Sequence, residues 1–477
     1  MSWKYSTVNT SHKWVGLDDD VIALYNHNDC LATALLMRKA PEILAEHNNF
    51  EFWKNQVKPL IPAAMDMQMR GLPVDLEVRK AHQERLRTVR AECDQTIFEF
   101  AASHGMDGFN INSPVQKADL LYKRIGFKPR KNKGKISTDQ SALLSIWNGL
   151  LKREEDLRPL LEALLHRSRV NTILIRYLNF PVDPDSVVRP TIKMFGTKTM
   201  RYAYESPPLQ QWVKEIRNII HAPDGYVFIS ADYRALEARI LAYQFNDTRD
   251  IECFEKGWDL HLVTANDLFD LGIGEKFETL DSSGWDELAK TAAQERLPSK
   301  NYRFGKAYGG SAASMKTKSF CPCNRWGCDT ELPPTLDRNK MIAAEFAWNQ
   351  QHKDYEDNIA GIIRRVRETK TYVSPFGLTR YFTKPFGSEL RPGEAERELR
   401  NFFGQHPAAM IINGSQRLAY EAGLPICLQM HDALSMICLE SEADARVETL
   451  RAIMERPIPE LNNISFPVDI EIGQTWK

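Results

Sequence analysis

Two hydrophobic patterns alternate along this chain. Short apolar runs bounded by Gly, Pro or polar breaks predict buried strands, and apolar positions three and four residues apart predict helices. The clearest strand is Tyr226 to Ser230, which follows Pro223 and Gly225 and is ended by Asp232. Leu236, Arg239, Ile240 and Tyr243 then fall at helical spacing, so Asp232 stands at a strand-to-helix junction. Far downstream, Pro425 to Leu439 reads as two apolar runs around a two-residue polar break, His431-Asp432, the pattern of a β-hairpin. His-Asp is a poor tight-turn pair beside Asn-Gly, which points to chemistry at those positions. Phe50 to Leu76 predicts a long helix ending at Gly71, and Leu76 to about Pro190 is mostly helical with Arg, Lys and Glu at exposed spacing.

These patterns bear on chemistry. A carboxylate fixed at the end of a buried strand can hold a metal ion; the plain alternative is that Asp232 caps the next helix. If both junctions share one sheet, Asp232 and Asp432 can share two divalent ions, one activating a nucleophile and the other steadying a leaving oxygen. A third stretch, Arg296 to Gly310, sets Arg296, Lys300, Phe304 and Tyr308 four residues apart, a ridge drifting around one helix face. Cations followed by aromatics suit a triphosphate under a stacked base. The alternative is a solvated basic start and a buried aromatic end. Pro298 predicts that this helix starts there and leaves Arg296 ahead of it.

At 477 residues the chain is long enough for several subdomains. Its net charge of −1 means that nucleic-acid contact must come from local basic patches. Lys123 to Lys135 is one, with seven cations in thirteen residues, Lys131 and Lys133 among them. It suits sequence-blind phosphate contact, or it is simply a solvated loop. Cys321, Cys323 and Cys328 crowd one segment. A structural zinc site wants four ligands, and only His352 or a distant cysteine could complete it, so clustered thiols are the stronger reading and zinc the weaker. No apolar run approaches a membrane span, the start lacks a signal-peptide core, and the eight cysteines form no disulfide framework. A reduced, cytoplasmic setting, in a bacterium or a phage-infected host, is expected.

In this order the stretches resemble the polymerase motifs of family A DNA polymerases, the group of bacterial DNA polymerase I and its phage relatives. Asp232-Tyr-Arg-Ala-Leu-Glu237 resembles motif A, Arg296 to Gly309 motif B, and His431-Asp432 motif C. Thr199-Met-Arg201 with Pro207-Pro-Leu-Gln210, Asp259-Leu-His261, Asn401-Phe-Phe-Gly-Gln405 and the ending Phe466-Pro-Val-Asp-Ile-Glu-Ile-Gly extend the likeness over about residues 50–477. It implies an α+β, right-hand fold with an antiparallel-sheet palm and largely helical thumb and fingers. The expected division is 1–45 an exonuclease-like remnant or helical arm, 46–190 entry helix and thumb, 191–245 first part of the palm, 246–369 fingers with the cysteine insertion, and 370–477 second part of the palm.

The resemblance implies template-directed addition of dNTPs to a primer 3′-OH, with two Mg²⁺ ions held by Asp232 and Asp432. Lys300, with Arg296 and His261, would neutralise the triphosphate, and Lys300 would protonate the leaving group. Phe304 and Tyr308 would face the base and template, and Glu237 would block a ribose 2′-OH. Arg201, Gln210, Arg397, Asn401, Gln405 and His431 would face the primer–template, and Lys131 and Lys133 its phosphates. Two departures stand out: Arg234-Ala235 replaces the usual Ser-Gln, and Ala433 replaces the usual Glu after His-Asp. A single-subunit RNA polymerase-like enzyme and an inactive primer–template-binding relative are the alternatives. Glu237 speaks against the first, and the retention of both Asp232 and Asp432 against the second.

Tyr25-Asn-His-Asn-Asp29 resembles the third motif of the family's 3′–5′ proofreading exonuclease, whose other carboxylate motifs find no room upstream. The segment is a vestige, a plain helical arm, or the tail of an exonuclease carried on a separate chain. The expectation is a monomer without proofreading of its own. The purified chain should leave the 3′ end of a labelled primer undigested; digestion abolished by Asp29→Ala would overturn this.

Overall fold

The structure is a computed structural model describing residues 18–132, 134–147, 149–150, 156–310, 338–388 and 391–477. Lys133, Cys321, Cys323 and Cys328 lie outside the described residues. Along the chain run helices α1 (Asp19–Glu46), α2 (Leu60–Arg70), α3 (Leu76–Ser103) and α4 (Arg158–Thr172). Strand β1 (Tyr226–Tyr233) leads to α5 (Leu236–Gln244), α6 (Thr248–Glu255), α7 (Leu260–Phe269), α8 (Ala293–Ala307), α9 (Arg338–Gln351), α10 (Lys353–Thr369) and α11 (Glu394–Glu421). The chain closes with β2 (Ile426–Met430), β3 (Ala433–Leu439), α12 (Ala443–Met454) and β4 (Val468–Gly473).

The four strands form one antiparallel sheet in the order β2-β3-β1-β4. The two stretches read as strands are therefore neighbours, although about two hundred residues separate them. Val227, Ile229, Ala231 and Tyr233 of β1 are buried together with Leu434 and Met436 of β3 in the largest core. Helices α2, α11 and α12 pack on this sheet. Burying the apolar side chains of β1 and β3 stabilises by about 25 cal/mol per Å² removed from water, which fixes the position of the polar strand ends. A second core joins α3 to α4 through Ile97, Leu120, Leu160 and their neighbours. Two further cores lie around α10 with α11 and around α6 with α7. Helix α1 buries no residue, and Tyr25 and Asp29 are exposed on it. No described helix is long and apolar enough to cross a membrane.

Three local expectations change. β1 does not stop short of Asp232 but runs on through Tyr233, and α5 is entered from Ala235 in the left-handed region (φ 49°), so Asp232 caps no helix. The helix expected from Phe50 is interrupted before α2, whose end is as read: Gly71 takes φ 65°, and a Cβ there would meet the Val188 carbonyl at 2.6 Å. Finally, α8 begins at Ala293, ahead of Pro298, so Arg296 lies inside the helix. The preceding helix (Ser282–Thr291) hands over at Ala292, whose carbonyl takes the amides of Glu295 and Arg296 at 3.2 and 2.9 Å. The first turn is thus made before the proline, and Pro298 costs only one amide in the second turn.

Candidate active site

The site grows from the register of β1 and β3. Ala433 pairs with Asp232, and the Tyr233 amide donates to the Asp432 carbonyl at 3.1 Å. His431 and Asp432 form the two-residue turn between β2 and β3, with His431 at φ 52°. A non-glycine residue in that region is uncommon, and here it aims Asp432 back across the sheet end toward β1. On the other side of β1, Asp469 of β4 lies opposite Asp232, and Glu471 lies opposite Ser230. The sequence reading passed over these two carboxylates. The signal was present in the alternation of Val468-Asp-Ile-Glu-Ile, which places both on one face of β4.

Electrostatically this is a site short of positive charge. Burial, with Glu237 and Asp232 nearby, pushes the Asp432 carboxyl up to about 7, against the pull of Arg201. Its Oδ1 is buried without a hydrogen-bond partner among the described residues, and Arg201 Nη2 comes only to 3.7 Å. Asp232 is raised as well, by burial and then by Asp469, with Lys300 opposing. Two carboxylates that resist ionisation and leave an acceptor unfilled fit hard divalent cations. The residues present match the donor set expected of a metal site.

Glu237, in the first turn of α5, accepts from the Arg201 guanidinium and the Tyr308 hydroxyl. Tyr308 follows the last residue of α8, and burial beside Glu237 raises its hydroxyl pKa, keeping it a donor. Gln405 on α11 also bonds Tyr308. Arg397, Asn401 and Gln405 follow one another at four-residue spacing along one side of α11, with Arg397 exposed and the other two half-buried. On α8, Lys300 is exposed and has no ion-pair partner within 4.0 Å among the described residues. Phe304 stacks with Tyr308 at 6.4 Å between ring centroids and lies 6.4 Å from the His261 ring. The Arg296-to-Tyr308 ridge is real, and its lower half faces the sheet end.

Three predicted residues are placed differently from their expected use. Arg296 is tied to Asp259 Oδ2 at 2.7 and 3.0 Å, and Asp259 itself caps α7 by accepting the amides of His261 and Leu262. His261 is not a cation: burial pushes its imidazole down to about 3, and its Nδ1 is buried without a partner among the described residues. It can donate or accept a hydrogen bond but does not neutralise charge in this state. Gln210 spends its amide on the backbone, accepting from Tyr204 N and donating to Tyr202 O, both at 3.0 Å. Lys131 stands exposed in a small hairpin, Lys131–Asn132 with Lys135–Ile136.

A sheet end crowded with carboxylates and faced by a helix of cations and aromatics is the arrangement of a polymerase-like palm. Residues 76–477 match DNA polymerase family A, and the chain belongs to that family. It is 27% identical over 473 residues to DNA polymerase I of Chloroflexus aurantiacus, covering 95% of this chain and 46% of the relative. It is 25% identical to DNA polymerase I of Caldicellulosiruptor bescii (96% and 51%) and 22% identical to the DNA polymerase of Bacillus phage SP01 (96% and 54%). The chain thus spans about half the length of these curated relatives. Among solved structures it is similar to the POL domain of Pol1 from M. smegmatis, in complex with DNA primer-template and dNTP. The TM-score is 0.72 at 21% identity, over 91% of this chain and 71% of that one, which fixes the right-hand α+β fold.

An unfolded aspartic acid ionises near 4, whereas Asp432 in the fold ionises at about 7. Between those values the folded state holds the extra proton, so stability falls as pH rises through that window. In EDTA, Asp432→Asn should therefore be the more stable protein at pH 8, on the order of 1–2 kcal/mol, with the gain vanishing near pH 4. Thermal melts at both pH values measure it; equal midpoints at pH 8 would mean the carboxylate is not held against its charge.

Proposed function

We propose that this chain is a template-directed DNA polymerase that adds dNTPs to a primer 3′-OH. The observation that carries the reading is Asp432: a carboxylate on the turn that the sheet register sets beside Asp232, with a buried oxygen that no described group satisfies. Asp232 and Asp432 would hold two Mg²⁺ ions, which supply an activated 3′-oxygen and a steadied pyrophosphate when bound. Lys300, exposed and without an ion pair among the described residues, neutralises the triphosphate and gives a proton to the leaving group. Arg296 adds charge once drawn off Asp259, and His261 contributes a hydrogen bond. Phe304 stacks on the incoming base, while Tyr308 occupies the templating side.

Glu237 is held rigid by Arg201 and Tyr308. So fixed, it leaves no room for a ribose 2′-OH and sets the preference for dNTPs. Arg397, Asn401 and Gln405 with His431 face the minor groove, whose acceptors are nearly sequence-independent. Lys131 and Lys133 contact duplex phosphates. Arg201 faces the primer end, and Gln210 supports it by bracing the turn at Tyr202 and Tyr204. The protein acts as a cytoplasmic monomer on primer–template and dNTPs.

Extension of a labelled primer–template with Mg²⁺ and dNTPs tests the reading. Wild type should extend, and Asp432→Asn or Asp232→Asn should fall by at least about a thousandfold while still binding the duplex. Use of rNTPs as readily as dNTPs would exclude the Glu237 role. Phe304→Tyr should raise dideoxynucleotide incorporation; a wild type that already takes ddNTPs and dNTPs alike would refute the role given to Phe304.

A further inference from the structure

Beneath the nucleotide-facing side of α8 lies a buried ionic cluster that the chemistry above does not use. Arg303, next to Phe304, is 9% exposed and forms an ion pair with Asp250 of α6, while its Nη1 donates to Thr264 Oγ1 of α7 at 2.9 Å. The other oxygen of Asp250 has no hydrogen-bond partner among the described residues and lies 3.9 Å from His352 Nδ1. His352 joins α9 to α10, and its Nδ1 lies 2.8 and 2.9 Å from the two oxygens of Asp247, the residue that caps α6. A carboxylate can only accept, so Nδ1 carries the proton. Trp348 of α9 closes the cluster, stacked on His352 at 3.8 Å and under the Arg303 guanidinium at 4.8 Å.

A lone buried charge costs several kcal/mol, so a cluster like this tolerates few arrangements of its carriers. α6, α7, α8 and the α9–α10 junction all contribute a member, so a shift of α8 would pull Arg303 off Asp250 and Thr264 together. Arg303, Asp247, Asp250 and Trp348 line the same pocket as Glu237, His261, Phe304 and Tyr308. Lys306 repeats the device further along α8: it too is buried, and it bonds Asn349 of α9 at 3.1 Å. Asp247, Asp250 and His352 stand close enough to share a cation. Arg303 already supplies positive charge at Asp250 Oδ2, however, and the His352 nitrogen facing the carboxylates carries a proton, so the arrangement reads as an ionic latch.

We propose that Arg303 is a positioning residue of the polymerase: its pair with Asp250, backed by Asp247 and His352, sets where α8 presents Lys300 and Phe304 to the incoming dNTP. This rests on the polymerase reading and adds a residue that never touches substrate. The test compares wild type, Arg303→Gln and Asp250→Asn/Arg303→Gln in thermal midpoint, primer–template affinity, and KM and kcat for dNTP. Affinity for dNTP on a chain-terminated primer is read without turnover. Arg303→Gln should lower the midpoint and raise the dNTP KM about tenfold or more, with primer–template affinity unchanged. The double variant should recover most of the midpoint, since no lone buried charge remains, yet keep the raised KM, since a neutral pair does not hold α8. Arg303→Lys, with the charge but not the fork, should fall between.

If the double variant regains KM along with stability, or if Arg303→Gln binds dNTP as tightly as wild type, the role is structural and the proposal fails. If wild type does not extend primers at all, the polymerase reading fails instead. Titration of Asp232→Asn/Asp432→Asn protein with Zn²⁺ closes the remaining route. No ion should bind at the cluster, and zinc uptake lost on His352→Gln would replace the latch with a metal site.

Discussion

The site depends on seven consecutive residue pairs between β1 and β3, from Asp232–Ala433 to Tyr226–Leu439. Side chains alternate across a strand, so a slip of one residue would turn Asp232 into the core and Tyr233 out of it. What prevents the slip is burial on the far face. Ile229 and Ala231, with Leu434 and Met436, are fully enclosed, and the Tyr233 hydroxyl is fastened to Ser415 Oγ and the Met454 carbonyl, at 2.9 and 2.7 Å. The apolar face thereby sets the position of the polar one. Asp232 and Asp432 are brought together by hydrophobic burial, not by any attraction of their own, since their charges repel.

That repulsion has to be managed locally, and Glu237 shows how. One carboxylate joins three chain segments: its own helix α5, Arg201 before the sheet, and Tyr308 at the end of α8. Arg201 in turn leans toward Asp432 at 3.7 Å. Removing Glu237 would therefore loosen the cation that steadies Asp432 and the aromatic that ends the nucleotide helix. A residue whose assigned role is to exclude a hydroxyl is thus also the tie between all three motifs.

Much of this was legible in the chain. Strands β1, β2 and β3 were found, with β1 running longer than expected, because they are nearly continuous apolar runs, and the ridge on α8 was found because helical spacing is local. The misreadings concern partners. Pro298 suggested a helix start because the handover at Ala292 depends on the preceding helix. His261 looked like a cation because burial is a tertiary property. Gln210 looked available because the turn that consumes its amide is visible only in three dimensions. Arg303 and Lys306 were passed over for the same reason: on a basic helix a buried cation resembles a solvated one until its partner appears. Asp250 and His352 are about a hundred residues apart, and no local pattern joins them. Asp469 and Glu471 were the avoidable omission, since period-two alternation alone puts them on one face.

The two charged groups flanking α8 are built on opposite rules. At the sheet end negative charge is left in excess: Asp432 keeps an unfilled oxygen, and Asp232 is raised by a third carboxylate. Such a site is costly while empty and gains most when cations arrive, the usual bargain of stability against activity. On the buried side of α8 each carboxylate is paired through at least one oxygen, Asp250 Oδ2 with Arg303 and Asp247 with His352. A paired network is rigid, because moving either cation-side partner leaves a buried charge alone. α8 therefore has a fixed side and a responsive side. Under the proposed polymerase reading, in which α8 presents Lys300 and Phe304 to a highly charged ligand, the ligand's charge would reorganise the exposed side while the paired side keeps the helix in place.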